Sequence, residues 1–368
     1  VFQTYYEETL LPDSSPSDIA WIGSVQYALV YLPGLVMGRL FDLGYFKIPY
    51  FAASCVFVTC NFIIAECTEY WQFFLVQGLG VGICGGMLFG PMLGVVFHWF
   101  NKQKGLTLGV VAMSASVGAT VFPIVAQNLI PQVGFKWTMR IFRFMVLVLL
   151  GVANLATDRR LPPTDVKGGL FNWAAFKNPA YTVYCIFGVM VFLGFYTVLT
   201  YMPIYAIHAG VSDDVALYLV AIVNGSSGCG RLIGGLLGDR FGALNTITPF
   251  IALVGIVMFV WPFVRNEGLL IAIVVIYGFS CGVYMSIQLA PVRAMGGIGD
   301  IGRRTGMFMT LTAFGISAGP PISGAINSAT GGFEDVGWYA GECFSGPLVL
   351  CSCSWFFGGG DGVGVVLS

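Results

Sequence analysis

Charge is scarce in this sequence. Lysine, arginine, aspartate and glutamate make up 10% of its 368 residues, where a soluble globular domain carries about 25%. That shortage excludes an ordinary water-facing surface. The net charge of -1 gives no basic footprint for nucleic acid. Two histidines leave little for a histidine-built metal site. There is no Walker sequence, dinucleotide fingerprint, paired-histidine metal motif or nucleophile elbow. The chain is therefore expected to be no enzyme and to need no cofactor or metal. GSSGCG and GVGICGG are rich in glycine, but both lie inside apolar runs, where helix packing accounts for them. The 10 cysteines are scattered through apolar sequence, and Cys351 and Cys353 have no second pair at metal spacing. They form neither a disulfide framework nor a zinc site. The opening VFQTYYEETLLPDSSPSD is acidic and polar, with no secretory signal visible.

Apolar sequence, by contrast, is abundant. The chain is 57% hydrophobic with 50 glycines, and its mean hydropathy is +0.83. A bilayer accommodates such a composition, and small residues let membrane helices approach closely. Apolar stretches of roughly 20 residues fall at 19–38, 48–65, 71–97, 105–127, 138–156, 180–204, 215–237, 246–264, 268–290 and 305–327, with a poorer one at 337–357. Pro91, Pro123, Pro203 and Pro320 lie within or near spans, where kinks or helix ends are expected.

A junction recurs between spans. GRLFD, Gly38 to Asp42, follows one apolar stretch, and GLLGDRFG, Gly235 to Gly242, follows another half a chain later. Aligning Gly38 with Gly235 places Leu40 on Leu237 and Asp42 on Asp239. Two such strings at matching places point to a duplicated membrane protein. The expected domains are an N-terminal bundle at 1–156, a cytosolic linker at 157–179, a C-terminal bundle at 180–358 and a glycine-rich tail at 359–368. A symmetric design of six plus six spans would need one more span before residue 1. The chain reads as a twelve-span protein without its first span, leaving about 11 transmembrane helices.

Basic residues orient the spans. Arg39, Lys47, Lys102, Lys104, Arg159, Arg160, Lys167, Lys177, Arg240, Arg293, Arg303 and Arg304 occupy one set of connections. Lys136, Arg140, Arg143 and Arg265 occupy the other, together with Glu66, Glu69, Asp213, Asp214, Glu267, Glu334 and Asp335. The bias puts the first set in the cytosol.

Several stretches resemble the major facilitator superfamily, and within it the fungal monocarboxylate-transporter-like branch. They are VFQTYYEETL with SPSDIAWIGSVQ, FHWFNKQKGLTLGVVAMSASVGATVFP from Phe97 to Pro123, and GFKWTMRI from Gly134 to Ile141. LGFYTVLTYMPIYAIHAGVS and RRTGMFMTLTAFGISAGPPISGAI agree as well. The resemblance implies an all-α polytopic fold of two six-helix bundles, the first helix absent here. It implies a secondary transporter of small organic anions, with monocarboxylates and a proton as candidate substrates, working by alternating access. It also implies a monomer in the lipid bilayer, at the plasma membrane rather than a vacuolar or other internal membrane. The competing readings are a non-transporting sensor or partner-binding protein, and a transporter of an unrelated solute.

Gly235, Asp239, Arg240 and Gly242 match the family's cytosolic signature. In the first copy, Gly38 and Asp42 match, Leu43 replaces the basic residue and Gly44 comes one position early. An aspartate there can meet a helix N-terminus or a basic partner and latch the cytosolic side; a static salt bridge is the plain alternative. Arg231 lies inside its span, where arginine is costly and usually functional. Its guanidinium suits a carboxylate, and the related transporters carry an arginine in the corresponding span. Their preceding aspartate is Ser227 here, and snorkelling to headgroups is the alternative for Arg231. Asn224, Ser227 and Arg231 share one helical strip. Tyr196, Tyr201 and Asn61 complete the candidate substrate-lining set. No carboxylate sits plainly mid-span to carry a coupled proton.

Overall fold

The computed structural model describes residues 6, 10–11, 16–100, 103–158, 160, 169–296 and 300–357. The expected tail at 359–368, residues 159 and 161–168 of the expected linker, and most of the opening segment lie outside the described residues. Among the described residues every regular element is helical. The physical reason is that an apolar segment in hydrocarbon must satisfy its backbone polar groups within itself.

The helices are α1 (Pro16–Tyr31), α2 (Gly34–Asp42), α3 (Lys47–Ile64), α4 (Tyr70–Phe73), a π-helical segment (Phe74–Val81) and α5 (Gly82–Trp99). Then come α6 (Lys104–Ala156), α7 (Pro179–Phe195), α8 (Thr197–His208), α9 (Asp213–Phe241) and α10 (Ala243–Val260). The last are α11 (Glu267–Ile287), α12 (Ala290–Ala294), α13 (Ile301–Thr330) and α14 (Glu334–Phe357). Among the described residues, seven stretches are long and apolar enough to cross a membrane: Trp21–Asp42, Lys47–Ile64, Tyr70–Val96, Lys104–Ala156, Pro179–His208, Ala243–Phe263 and Glu267–Ala294. The expected spans at 215–237, 305–327 and 337–357 lie in α9, α13 and α14, which are not among those seven. In α9 the polar run Asn224 to Ser227 and Arg231 dilute the apolar sequence; in α13 the threonines, serines and glycines do the same.

Four of the expected spans differ in form. The two expected at 105–127 and 138–156 belong to the 53-residue α6, broken only at Gly134 (φ 77, ψ 164). Pro123 and Pro131 stay within its helical run. Glycine takes that backbone conformation without Cβ strain. The span expected at 180–204 is divided at Tyr196, between α7 and α8. The carbonyl of Phe195, freed by that break, accepts a hydrogen bond from the buried Tyr277 hydroxyl. The span at 19–38 is likewise split, between α1 and α2.

Two compact units are present. The first comprises Val1–Trp99, Val121–Phe171 and Gly299–Ala313. Its core gathers Ile19, Ile22, Ile64, Phe73, Val81, Phe135 and Met139. Glu66 accepts from Arg140 at 2.7 Å and Lys136 at 3.1 Å. Lys47 pairs with Asp158 at 3.8 Å, and Trp99 Nε1 donates to the Asp158 carbonyl. These two groups keep the expected outer and cytosolic charges apart. The second unit comprises Phe100–Thr120, Asn172–Ile298 and Phe314–Ser368. There α9 packs along α11, and α14 packs on α7 and α10, around Tyr181, Tyr184, Phe187, Phe192, Trp261, Tyr277 and Tyr284. The helices α6 and α13 each begin in one unit and end in the other.

Candidate functional site

An aspartate at the C-terminal end of its own helix is misplaced, because the helix dipole is negative there. Asp42 is the last residue of α2, and Asp239 lies in the last turn of α9. Each is compensated by the N-terminus of another helix, where the first N–H groups lack partners and the dipole is positive.

The Asp42 carboxylate accepts from the backbone N–H of Gly302 at 3.1 Å and of Arg303 at 2.9 Å, at the start of α13. Asp42 is buried. Beside it Asp300 holds Arg303 at 2.6 Å and Arg304 at 3.3 Å, with side chains only 6% and 3% exposed. Two carboxylates thus face two buried guanidiniums, the balance that buried charge requires. Arg303 also reaches the Gly169 carbonyl, and Thr310 donates to the Leu32 carbonyl.

The Asp239 carboxylate accepts from Gly105 N–H at 2.7 Å and Leu106 N–H at 2.9 Å, at the start of α6. Asp239 is exposed. Arg240 is exposed as well and lies over the ring of Phe241, 5.3 Å from its centroid.

Glycine makes both crossings close enough for these bonds. A Cβ built on Gly38 would lie 2.8 Å from the Gly302 carbonyl carbon, and one on Gly235 would lie 2.7 Å from that of Gly105. One turn further in, Gly306 meets Gly34, and Gly109 meets the backbone of Arg231. Asp42 and Asp239 are 197 positions apart, and the same separation relates Gly38 to Gly235, Gly105 to Gly302 and Gly109 to Gly306. The duplication therefore extends to both partners of each crossing. It also sets Arg231 where the first crossing has Gly34.

Arg231 is half-buried, and its Nη1 donates to the Ala112 carbonyl of α6. On the same helix Asn224 donates to the Val220 carbonyl, and Ser227 is buried against Gly282. Tyr196 sits at the break between α7 and α8, half-buried and edge-on to Phe195. Tyr201 is half-buried on α8, with its hydroxyl beside Gly324. These five belong to the second unit. Asn61 belongs to the first, where it is buried; its amide donates to Phe57 and its carbonyl accepts from Arg143 at 3.1 Å. No group of three or more metal-ligating side chains occurs among the described residues.

The sequence profile of the Major Facilitator Superfamily matches residues 3–297. The chain belongs to the Major Facilitator Superfamily. Superfamily members are transporters and not enzymes. The chain is 32% identical over 353 residues to the MFS transporter asaE of Aspergillus flavus, covering 95% of this chain and 79% of that one. It is 33% identical over 352 residues to the aspyridones efflux protein apdF of Emericella nidulans, covering 95% and 71%. Its fold resembles the fucose:proton symporter FucP of E. coli, with a TM-score of 0.71, 14% identity and coverage of 96% and 95%. It also resembles the human organic anion transporter MFSD10, with a TM-score of 0.71, 14% identity and coverage of 97% and 88%.

Within this superfamily chain, sequence reasoning singled out the two aspartates but missed their partners. Gly105, Gly109, Gly302 and Gly306 carried a usable signal: two Gly-x-x-x-Gly strings related by the same separation as the aspartates. Gln77 was also missed. It lies in the π-helical segment, accepts from the Tyr6 hydroxyl at 2.8 Å and donates to Gln26 at 3.4 Å. A π-helix has no strong sequence signature, although it often marks functional positions.

Proposed function

We propose that this transporter carries a small organic anion by alternating access, with 1–156 and 180–358 as the two moving bundles and 157–179 as their cytosolic linker. The observation that carries this reading is the capping of one helix by an aspartate from the other half of the chain, made twice. Asp42 reaches α13, and Asp239 reaches α6. Bonds that join the halves at their expected cytosolic ends must break when that side opens. Gly38, Asp42, Gly235 and Asp239 form the gate, with Arg240 at its rim. The capping contacts are charge-assisted hydrogen bonds, two at each aspartate, strong enough to bias a state and few enough to release.

Arg231 supports an anionic solute. Its planar guanidinium can exchange the Ala112 carbonyl for a substrate carboxylate, which offers two parallel hydrogen bonds. Asn224, Ser227, Tyr196, Tyr201 and Asn61 are its companions in solute contact. The resemblance to the monocarboxylate-transporter-like branch favours a monocarboxylate, with a proton as co-substrate, moved by a monomer in the plasma membrane. A second reading is outward transport of a larger metabolite, favoured by the relative named an efflux protein. The deciding experiment is uptake of labelled monocarboxylates into transporter-deficient cells, with and without an imposed proton gradient. Gradient-dependent uptake supports the first reading. Absence of uptake by protein confirmed at the membrane refutes it, and retention assays with fungal metabolites then test the second.

A further inference from the structure

The two crossings share one plan but differ in everything around it. At the first, Asp42 is buried, and the start of α13 is reinforced by the Asp300 clamp on Arg303 and Arg304, by Arg303 reaching Gly169, and by Thr310 reaching Leu32. At the second, the duplicated positions of Asp300, Arg303 and Arg304 are Gln103, Leu106 and Thr107, so the clamp does not exist. Asp239 is exposed, and its attraction to the α6 N-terminus acts through water and salt. Lys104 lies close enough to Asp239 for their opposite charges to attract, and Arg231 donates to the Ala112 carbonyl two turns deeper along α9. The Arg231 bond ties the inner end of the crossing, while the outer end, at Asp239, stays open to water.

We propose that the two latches are unequal and release in a fixed order. The Asp239 latch opens first, peeling from its exposed end inward to Arg231, and the Asp42 latch opens last. The order follows from where each carboxylate sits. An exposed charge interaction weakens as the Debye length falls from about 10 Å in 0.1 M salt to about 3 Å in 1 M, while a buried one is screened much less. Ionic strength at the cytosolic face therefore loosens one gate and spares the other. The proposal rests on reading these crossings as latches.

Hydrogen exchange tests both statements in the full chain, purified in lipid nanodiscs, because the four donor amides are themselves the reporters. Rates corrected for intrinsic exchange should show Gly105 and Leu106 exchanging about tenfold faster than Gly302 and Arg303, the range over which local opening varies within one protein. Raising sodium chloride from about 0.1 M to about 1 M should speed the first pair about threefold and leave the second unchanged. Asp239→Asn should speed exchange at Gly105 and Leu106, and Asp42→Asn at Gly302 and Arg303. If neither variant changes its own donors, the latch reading fails. If both variants act but the two pairs exchange alike, or salt accelerates both alike, the latches stand and the order is refuted. Faster exchange at Gly302 and Arg303 reverses the order and refutes it also.

Discussion

Placing a methyl group at Gly38 should undo the Asp42 latch without touching the aspartate. The added carbon would lie 2.8 Å from the Gly302 carbonyl carbon and 3.5 Å from Arg303 N. Carbon atoms pack at about 3.5–4.0 Å. Both neighbours are backbone, so no side chain can swing aside, and the helices must part by about 1 Å. The Asp42 bonds, now 2.9 and 3.1 Å, would stretch to about 4 Å, beyond hydrogen-bond range. Gly38→Ala should therefore reproduce Asp42→Ala. Loss of a capping carboxylate costs about 1–2 kcal/mol, which shifts an opening equilibrium roughly 5- to 30-fold. The assay is the rate of maleimide labelling of Leu43→Cys, beside the latch, in a cysteine-depleted background. Each variant should label faster by about that factor, and Gly38→Ala/Asp42→Ala should label no faster than either alone, since both remove one interaction. Labelling of Gly38→Ala at the parent rate, or independent increments in the double variant, would refute the reasoning.

Replacing Arg231 with alanine should cut uptake of an anionic substrate at least tenfold with similar membrane abundance, while Arg231→Lys should recover only part of it, because lysine lacks the planar fork; equal uptake by all three removes Arg231 from the path. Gly134→Ala should lower the melting temperature, because a backbone at φ 77, ψ 164 costs about 1–3 kcal/mol for a residue with a Cβ, and no atom lies within 4 Å to repay it. The hydrogen bond from Arg140, then that from Lys136, holds the Glu66 carboxyl below its ordinary range. A depressed acid contributes stability above the unfolded pKa, about 4.3, and loses it as pH falls through the folded value. The melting-temperature difference between parent and Glu66→Gln should thus be present at neutral pH and vanish in acid; a difference independent of pH would exclude the ion cluster as its source.

The apolar runs made the helices legible, and the low charge made the membrane legible, because both follow from the cost of unsatisfied backbone in hydrocarbon. Asp42 and Asp239 stood out because two copies of a charged junction interrupt otherwise apolar sequence. That they could meet a helix N-terminus was legible, but which helix was not, since the partners lie 260 and 134 residues away. The α6 break falls in the gap expected between the spans at 105–127 and 138–156; that Gly134 makes it, with Pro123 and Pro131 inside helical backbone, was hidden. Arg231 drew attention as an intramembrane charge. Its Ala112 partner is a main-chain carbonyl, which any residue at that position would provide.

The two crossings also constrain how the chain is made. The α6 N-terminus is synthesised 134 residues before its cap arrives with Asp239, and Asp42 emerges 260 residues before Gly302. Neither half of the chain can cap these helix ends from its own residues. Long-range closure of this kind is slow, so partly made chains expose uncapped helix ends and stranded carboxylates during insertion. A ribosome stalled near residue 290 would hold a finished second crossing and an unfinished first. In such a nascent chain the Asp42 carboxylate would stand without the two amides that cap it in the finished protein.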